Sequence, residues 1–172
     1  MAKEGRPRLR AAPLDRPPCI VLVDPEIPQN TGNIARLAAA LGCTLHLVGR
    51  LGFRIDDKAV RRAGLDYWHL VRLERHLDFA HFRAAHPEAR VRLLSAVGSR
   101  SYLEAEFAPG DALVFGREST GLPDELLAAF SADTFTIPTI GAVRSLNLAN
   151  AVSIVIYEAY RQIGAFARAR LE

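Results

Sequence analysis

The sequence CIVLVDPEIPQNTGNIARLAAALGCTLHLV, residues 19 to 48, decides the fold class of this protein. Its first five residues are continuously apolar, which is typical of a strand buried on both faces in a parallel sheet. A turn rich in capping residues is predicted at positions 28 to 33; apolar residues then recur at helical spacing until Gly42 stops the helix. A second apolar run, Thr44 to Val48, completes a strand–helix–strand unit. The stretch therefore predicts an α/β fold with a parallel sheet flanked by helices.

The length and composition of the chain favour one domain. It has 172 residues, of which 49% are hydrophobic and 24% charged, which suits a single globular domain better than two. No apolar run reaches the roughly 18 residues of a membrane span, and the first 18 residues lack the apolar core of a secretory signal. We therefore expect a soluble, cytoplasmic protein with no contact to a membrane.

The net charge of +3 comes entirely from the amino-terminal segment. Residues 1 to 18 contain four prolines and an excess of basic side chains, whereas residues 19 to 172 have equal numbers of basic and acidic side chains. This pattern predicts a disordered basic tail over residues 1 to 18, a folded domain over residues 19 to 164 and a carboxyl-terminal tail over residues 165 to 172. The basic tail could follow the phosphates of a nucleic acid, or it could be a solvated leader.

The cysteines and histidines indicate no metal site. Cys19 and Cys43 lie singly in apolar surroundings, so we interpret both as small core residues and not as metal ligands or a disulfide pair. The histidines show neither the HExxH pattern nor a facial triad, so the sequence predicts no bound metal. They are His46, His69, His76, His81 and His86.

A glycine-bracketed turn follows a buried strand in the sequence DALVFGRESTGLP, residues 111 to 123. Ligands of open α/β sheets lie where strand ends lead into such turns, because the backbone there can approach them closely. The spacing matches neither GxGxxG, nor a phosphate-binding P-loop, nor the GxSxG elbow of hydrolases, which counts against a nucleotide kinase and an esterase. A connecting turn without a ligand is the alternative interpretation.

A loop with a polar cluster precedes a long apolar segment in the sequence IPTIGAVRSLNLAN, residues 137 to 150. Backbone N–H groups and short side chains at a helix start can hold a polar ligand, although an ordinary capped loop would have the same composition. The helix predicted over residues 147 to 163 is apolar on nearly all sides. It must therefore be covered by the sheet and its neighbours, or partly by a second subunit.

Other segments give weaker indications. Strands are predicted over residues 70 to 73, 90 to 96 and 134 to 137, and a helix over residues 76 to 86. Residues 49 to 66 are rich in cations and precede Tyr67 and Trp68. Such a segment could contact an RNA backbone and stack a base, or it could be a charged surface helix that ends on a core tryptophan.

Three motifs taken in order resemble those of the SPOUT RNA methyltransferases. They are PQNTGNIAR at residues 28 to 36, FGRESTGL at 115 to 122, and IP followed by SLNLANAV between 137 and 152. The resemblance covers nearly all of residues 19 to 164. It is strongest to the single-domain subgroup that methylates the 2′-oxygen of the wobble nucleotide of tRNA, position 34, where the nucleotide is cytidine or 5-carboxymethylaminomethyluridine. Residues 51 to 67 are similar to the same subgroup.

The resemblance implies a fold, a reaction and partners. The fold would be a single-domain parallel α/β sheet with a carboxyl-terminal trefoil knot. The methyl donor would be S-adenosylmethionine (SAM), with S-adenosylhomocysteine as its product, and no metal would take part. The substrate would be tRNA and the assembly a homodimer. Methylation of another tRNA position or of rRNA, and non-catalytic RNA binding, are the alternatives.

The resemblance also implies roles for individual residues. The donor-binding residues would be Leu94, Gly116, Ile137, Ser145 and Leu146. The catalytic group would comprise Arg36, Asn33, Glu118 and Tyr157. The substrate would be bound by Asn30, Arg36, Asn147 and Asn150. Because arginine stays protonated in proteins, we favour Arg36 as an electrostatic stabiliser over Arg36 as a base. Arg117 departs from the family pattern, in which small residues or proline are common.

Overall fold

The computed structural model describes residues 7 to 54 and 67 to 171, and the strands within them form two sheets. The strands are β1 (Leu9–Arg10), β2 (Cys19–Val23), β3 (Thr44–Val48), β4 (Arg72–His76), β5 (Val91–Leu94), β6 (Arg100–Ser101), β7 (Ala112–Phe115), β8 (Thr134–Thr136) and β9 (Arg170–Leu171). Strands β2 to β8 form one parallel sheet in the order β4-β3-β2-β7-β5-β8-β6. Strands β1 and β9 pair separately and antiparallel.

Helices cover both faces of the parallel sheet. They are α1 (Pro28–Leu41), α2 (Phe79–Ala85), α3 (Asp124–Ala129) and α4 (Leu148–Gln162). Single 3₁₀ turns occur at Trp68–Leu70, Tyr102–Glu104 and Ser131–Asp133. Helices α1 and α4 contribute to the apolar core on one face, and α2 and α3 contribute to the core on the other. The predicted parallel sheet flanked by helices is confirmed.

Strand β2 shows why a continuously apolar run was needed. It lies between β3 and β7, in the interior of the described sheet. Ile20 and Leu22 belong to the core under α1 and α4, whereas Val21 and Val23 belong to the core under α2 and α3. Successive side chains of a strand point to opposite faces, so a strand covered on both faces needs apolar residues at every position.

The prediction of a turn over residues 28 to 33 is wrong, because helix α1 already begins at Pro28. Proline suits the first helical position, since its fixed φ is helical and the missing N–H would have no partner there. Asn30 and Thr31 are consequently buried inside the helix and do not cap it. The predicted end is confirmed: Gly42 adopts a left-handed conformation with φ of 65°.

Two further boundaries differ from the predictions. Strand β4 continues to His76, three residues beyond the predicted end, and α2 begins only at Phe79. The reason is Asp78, whose carboxylate accepts a hydrogen bond from the His81 N–H at 2.7 Å and so caps the helix. The strand predicted over residues 90 to 96 covers only Val91–Leu94, and the strand predicted over residues 134 to 137 ends one residue earlier, at Thr136.

Helix α4 confirms the helix predicted over residues 147 to 163 within one residue at each end. Its buried side packs on the sheet and on α1, and the Tyr160 hydroxyl donates a hydrogen bond to the Leu41 carbonyl at 3.2 Å. Its own chain therefore covers most of the helix. The outer side exposes Ile154 and Tyr157.

The segments that flank residues 19 to 164 contact each other. Strand β1 lies inside the segment for which the composition predicted disorder, and Leu9 pairs with Leu171 of β9. This contact joins residues 162 positions apart, which no local sequence pattern could indicate. The carboxyl-terminal trefoil knot stays a prediction.

Both cysteines pack in or against the apolar core, as expected of small core residues. Cys19 and Cys43 are free thiols, and burial raises the pKa of Cys19 to about 12 and that of Cys43 to about 11. Both are therefore protonated and unreactive near neutral pH. Among the described residues, none of the helices has the length and apolar character needed to cross a lipid bilayer.

Candidate active site

Three of the predicted donor-binding residues meet at one edge of the sheet. Leu94 is the last residue of β5, and its register partners are Phe115 in β7 and Phe135 in β8. Gly116 directly follows β7, and Ile137 follows the end of β8. The carboxyl ends of adjacent parallel strands therefore bring Leu94, Gly116 and Ile137 together, at the edge where open α/β sheets bind ligands.

The turn after β7 is closed by its own backbone. The Arg117 N–H donates to the Gly121 carbonyl at 3.2 Å, and the Gly121 N–H donates back to the Arg117 carbonyl at 2.9 Å. A Cβ at position 116 would lie 2.1 Å from the Gly121 carbonyl carbon, so only glycine fits there. Gly121 has φ of +75°, which also favours glycine. The two glycines thus fix the conformation of the turn between them.

Glu118 projects from this turn and binds the start of helix α1. Its carboxylate accepts hydrogen bonds from the Glu26 N–H at 2.9 Å, the Ile27 N–H at 3.1 Å and the Asn30 side-chain amide at 3.0 Å. Two of these donors are backbone groups at the amino-terminal end of a helix, where free N–H groups attract a negative charge. Glu118 therefore ties the second motif to the first.

Asn30 and Asn147 extend this connection to the third motif. The Asn147 amide donates to Asn30 Oδ1 at 3.0 Å, while Asn147 Oδ1 accepts from the Ala149 and Asn150 N–H groups at 3.0 and 3.3 Å. Asn147 is thus the N-cap of α4. The structure brings Glu118, Asn30 and Asn147, three residues from three motifs, into one hydrogen-bonded chain.

The sequence analysis missed two acidic residues that support the turn. Glu26 accepts hydrogen bonds from the Ser119 N–H and hydroxyl, both at 2.9 Å, and these bonds lower the pKa of the Glu26 carboxyl below its usual value. Asp24 accepts from the Arg117 guanidinium and from the Arg50 N–H. The feature of the sequence that could have identified them is the pair of acidic residues on either side of Pro25, directly after β2. Arg117, which departs from the family pattern, therefore has a structural partner.

The loop before α4 leaves polar side chains accessible. Ser145 and Asn150 are exposed, and Leu146 is half-buried. All three lie within three residues of Asn147, the N-cap of α4.

Arg36 and Asn33 lie on the exposed side of α1, apart from this chain of hydrogen bonds. Arg36 is six residues beyond Asn30, about 9 Å further along the helix axis. Its guanidinium carbon lies 5.2 Å from the centre of the Tyr67 ring, a cation–π contact. An open groove of about 400 Å³ surrounds this pair. The groove is lined by Arg8, Leu9, Arg10, Arg36, Ala39, Ala40, Tyr67 and Leu70.

Within one chain, Tyr157 lies away from the hydrogen-bonded chain Glu118–Asn30–Asn147. It lies ten residues beyond Asn147 on α4, about 15 Å along the helix axis. Its ring stacks on Phe166 with centroids 5.5 Å apart, and half of its surface is exposed. Of the four residues expected to be catalytic, only Glu118 lies in the hydrogen-bonded chain.

Comparison with known proteins places the chain in a family. The model of the SpoU rRNA Methylase family matches residues 17 to 157, so the chain belongs to that methyltransferase family. A relative named tRNA (cytidine(34)-2′-O)-methyltransferase from Acidovorax sp. (strain JS42) is 49% identical, covering 83% of this chain and 90% of the relative. The protein of the same name from Escherichia coli (strain K12) is 46% identical, covering 84% of this chain and 93% of the relative.

Solved structures agree with this membership. One concerns the 2-OH methylation of C/U34 on tRNA; it is 54% identical with a TM-score of 0.80, covering 86% of this chain and 96% of the other. Another is an AdoMet-bound rRNA methyltransferase from Sinorhizobium meliloti, which is 29% identical with a TM-score of 0.74 and covers 88% of this chain and 61% of the other. The parallel sheet described above is thus the methyltransferase fold of this family.

The hydrogen bonds of Glu118 predict a stability effect. We expect Glu118→Ala to lower the free energy of unfolding by roughly 2 to 4 kcal/mol, because three donors lose a charged acceptor. Glu88→Ala, at an exposed glutamate outside this network, should change it by less than about 0.5 kcal/mol. Urea denaturation of both variants measures the difference. Equal stability of the two variants would show that the Glu118 contacts contribute little.

Proposed function

We propose that this protein is a SAM-dependent methyltransferase that modifies the ribose 2′-oxygen of the wobble nucleotide of tRNA, cytidine or 5-carboxymethylaminomethyluridine at position 34, in the cytoplasm. The supporting observation is the chain Glu118–Asn30–Asn147, which joins the turn after β7 to the starts of α1 and α4. The relatives with this activity in their names align with more than four fifths of the chain.

The strand-end loops suit the adenosyl part of the methyl donor. Leu94, Gly116 and Ile137 present backbone groups and apolar side chains, and Leu146 adds an apolar side chain from the loop before α4. An adenine ring and a neutral ribose need such contacts more than charges. A Cβ at position 116 would meet the backbone of Gly121 and Leu122, so the glycine lets the turn close tightly beside the proposed donor site. When bound, SAM supplies a methyl group on a positively charged sulfur.

The reaction requires alignment of the ribose 2′-oxygen with the methyl group and stabilisation of the negative charge that develops on that oxygen. SAM held at Leu94, Gly116 and Ile137 would supply the methyl group to the ribose 2′-oxygen, and the hydroxyl proton would pass to water. The Arg36 guanidinium keeps its protons and is therefore a poor base. It instead stabilises the developing alkoxide or holds an adjacent phosphate, with Asn33 one turn before it on α1.

An activity assay with an arginine variant tests this function. Incubation with SAM and unmodified tRNA should place a 2′-O-methyl group at position 34, detected by nuclease digestion and mass spectrometry. Arg36→Ala should lower kcat/KM roughly a hundredfold while SAM binding by calorimetry is unchanged, because the arginine contacts RNA and not the donor. Arg168→Ala, at an exposed arginine near the carboxyl terminus, serves as the control.

The outcomes separate the alternatives. Absence of SAM binding would contradict any methyltransferase role and leave RNA binding alone. SAM binding with methylation of rRNA or of another tRNA position would retain the reaction and overturn the wobble assignment. Normal turnover of Arg36→Ala would overturn the role of this residue.

We further propose that the groove around Arg36 binds the tRNA backbone. Three guanidinium groups, from Arg8, Arg10 and Arg36, line it together with the Tyr67 ring. Clustered arginines beside an aromatic ring suit phosphates and an unstacked base. Trp68 packs against the core, so Tyr67 is the member of that aromatic pair that is placed for stacking. Arg8 and Arg10 precede the matched family region, which begins at residue 17.

The salt dependence of tRNA binding tests this groove. The double variant Arg8→Ala/Arg10→Ala should bind tRNA roughly tenfold more weakly, and its plot of log K against log salt should be shallower by about 1.5 to 2, because two phosphate contacts are lost. SAM affinity should not change. The control is Arg75→Ala/Arg168→Ala, which removes two exposed arginines outside the groove. Equal slopes for the two double variants would show that the amino-terminal segment does not contact the backbone.

We also propose a homodimer that covers the outer side of α4. Ile154 and Tyr157 are exposed there and form an apolar groove with Tyr102 and Phe166. The neighbouring Glu158 already accepts hydrogen bonds from Arg161 at 2.8 Å, so its charge is balanced within the chain. Such a surface suits a second copy of the same chain.

Light scattering tests the dimer. At micromolar concentration the protein should have twice the mass of one chain, and Ile154→Glu should yield monomers because it buries a charge in the interface. Leu77→Glu, at a leucine exposed elsewhere on the surface, should remain dimeric. A monomeric wild-type protein would contradict the proposal.

A further inference from the structure

A cluster of three histidines and one glutamate lies beside β4, the outermost strand on one side of the parallel sheet. His46 comes from β3, Glu74 and His76 come from β4, and His86 follows the end of α2. His46 and Glu74 are register partners on adjacent strands. Glu74 and His76 are two residues apart and so point to the same face of the sheet. The fold thus gathers these side chains from three separate elements.

The potential ligand atoms of the four side chains converge on one small volume. His46 Nδ1 lies 3.1 Å from His76 Nε2 and 3.5 Å from Glu74 Oε2. Glu74 Oε2 also lies 3.8 Å from His76 Nε2 and 3.1 Å from His86 Nε2. All four atoms lie within 4.8 Å of one another. A hydrogen-bond network needs only pairs of atoms, whereas a metal ion requires several ligand atoms to face one point.

These separations match the dimensions of a zinc site. Zinc binds imidazole nitrogen and carboxylate oxygen at about 2.0 to 2.2 Å in tetrahedral geometry, which places neighbouring ligand atoms about 3.3 Å apart. Four of the six separations among the ligand atoms, 3.1, 3.5, 3.8 and 3.1 Å, lie on both sides of that value, and the whole set lies within 4.8 Å. A set of three nitrogens and one oxygen also suits zinc better than calcium or magnesium, which prefer oxygen ligands.

The four side chains differ in their exposure to solvent. His46 and His76 are buried. Glu74 is half-exposed and His86 is partly exposed, which gives an ion a path from solvent.

We propose that His46, Glu74, His76 and His86 bind one zinc ion. The site stabilises the fold and is separate from the reaction: it lies on the face covered by α2, around Phe82, whereas α1 and α4 cover the opposite face. The ion would join the end of α2 to β3 and to the edge strand β4. Helix α2 has seven residues, and a helix this short depends on its contacts with the sheet. A metal link from its end to the strands would therefore stabilise it.

The spacing of the four proposed ligands forms no recognisable metal-binding motif in the sequence, for a geometric reason. The ligands are spaced 28, 2 and 10 residues apart, which matches no helical metal motif such as HExxH. Only strand pairing and the return of the chain through α2 bring them together. The prediction that this protein binds no metal is therefore replaced by the present proposal.

Metal analysis and calorimetry test the site on full-length protein purified without a histidine tag. After removal of metal with a chelator, titration with Zn²⁺ should show one site per chain and raise Tm by roughly 5 to 15 °C. Glu74→Gln and His86→Gln, at partly exposed positions that tolerate substitution, should each raise the Kd for Zn²⁺ about a hundredfold or more. His69→Gln, at an exposed histidine outside the cluster, should bind as the wild type does.

Cobalt provides a second measurement that does not depend on folding stability. Co²⁺ in the apo protein should give the visible absorption of a four-coordinate ion, and Zn²⁺ should abolish it. Absence of stoichiometric zinc binding, or binding unchanged in both Glu74→Gln and His86→Gln, would overturn the proposal. Loss of SAM binding on zinc removal would overturn the separation of the two sites while leaving the metal site in place.

Discussion

The hydrogen bonds that Glu118 accepts are the contacts on which the candidate active site depends. A carboxylate on the turn after β7 holds two backbone N–H groups and the Asn30 amide at the start of α1, and Asn30 in turn holds Asn147 at the start of α4. Without the Glu118 carboxylate, these three donors would lose their shared acceptor. One side chain thus fixes the relative positions of three loops that are far apart in the sequence.

The parallel sheet determines where these loops meet. Because β5, β7 and β8 are adjacent and parallel, the residues that follow them lie at one edge. The same sheet, covered on both faces, creates a second, chemically different region on β3 and β4, where the His46 and His76 rings contact Phe82 of α2. The proposed donor site and the histidine-rich cluster can coexist in one domain, since opposite faces of the sheet are covered by different helices.

The groove beside Arg36 adds a third region, and it depends on the amino-terminal segment. Arg8 and Arg10 reach α1 because β1 pairs with β9 and holds the two ends of the chain together. Arg8 and Arg10 therefore add two positive charges beside Arg36, at the proposed RNA contact. The donor loops and the cationic groove are then parts of one proposed substrate path.

The sequence alone determined the parallel sheet, the ends of β2 and α4 and the three motifs, because apolar runs, a capping asparagine and glycine-rich turns act locally. It could not place Arg36 or Tyr157 relative to Glu118, and it missed Glu26 as a support of the turn. The histidine cluster was equally hidden. These features depend on contacts between residues 12 to 117 positions apart, which strand order and helix packing create and which leave no periodic signal in the chain.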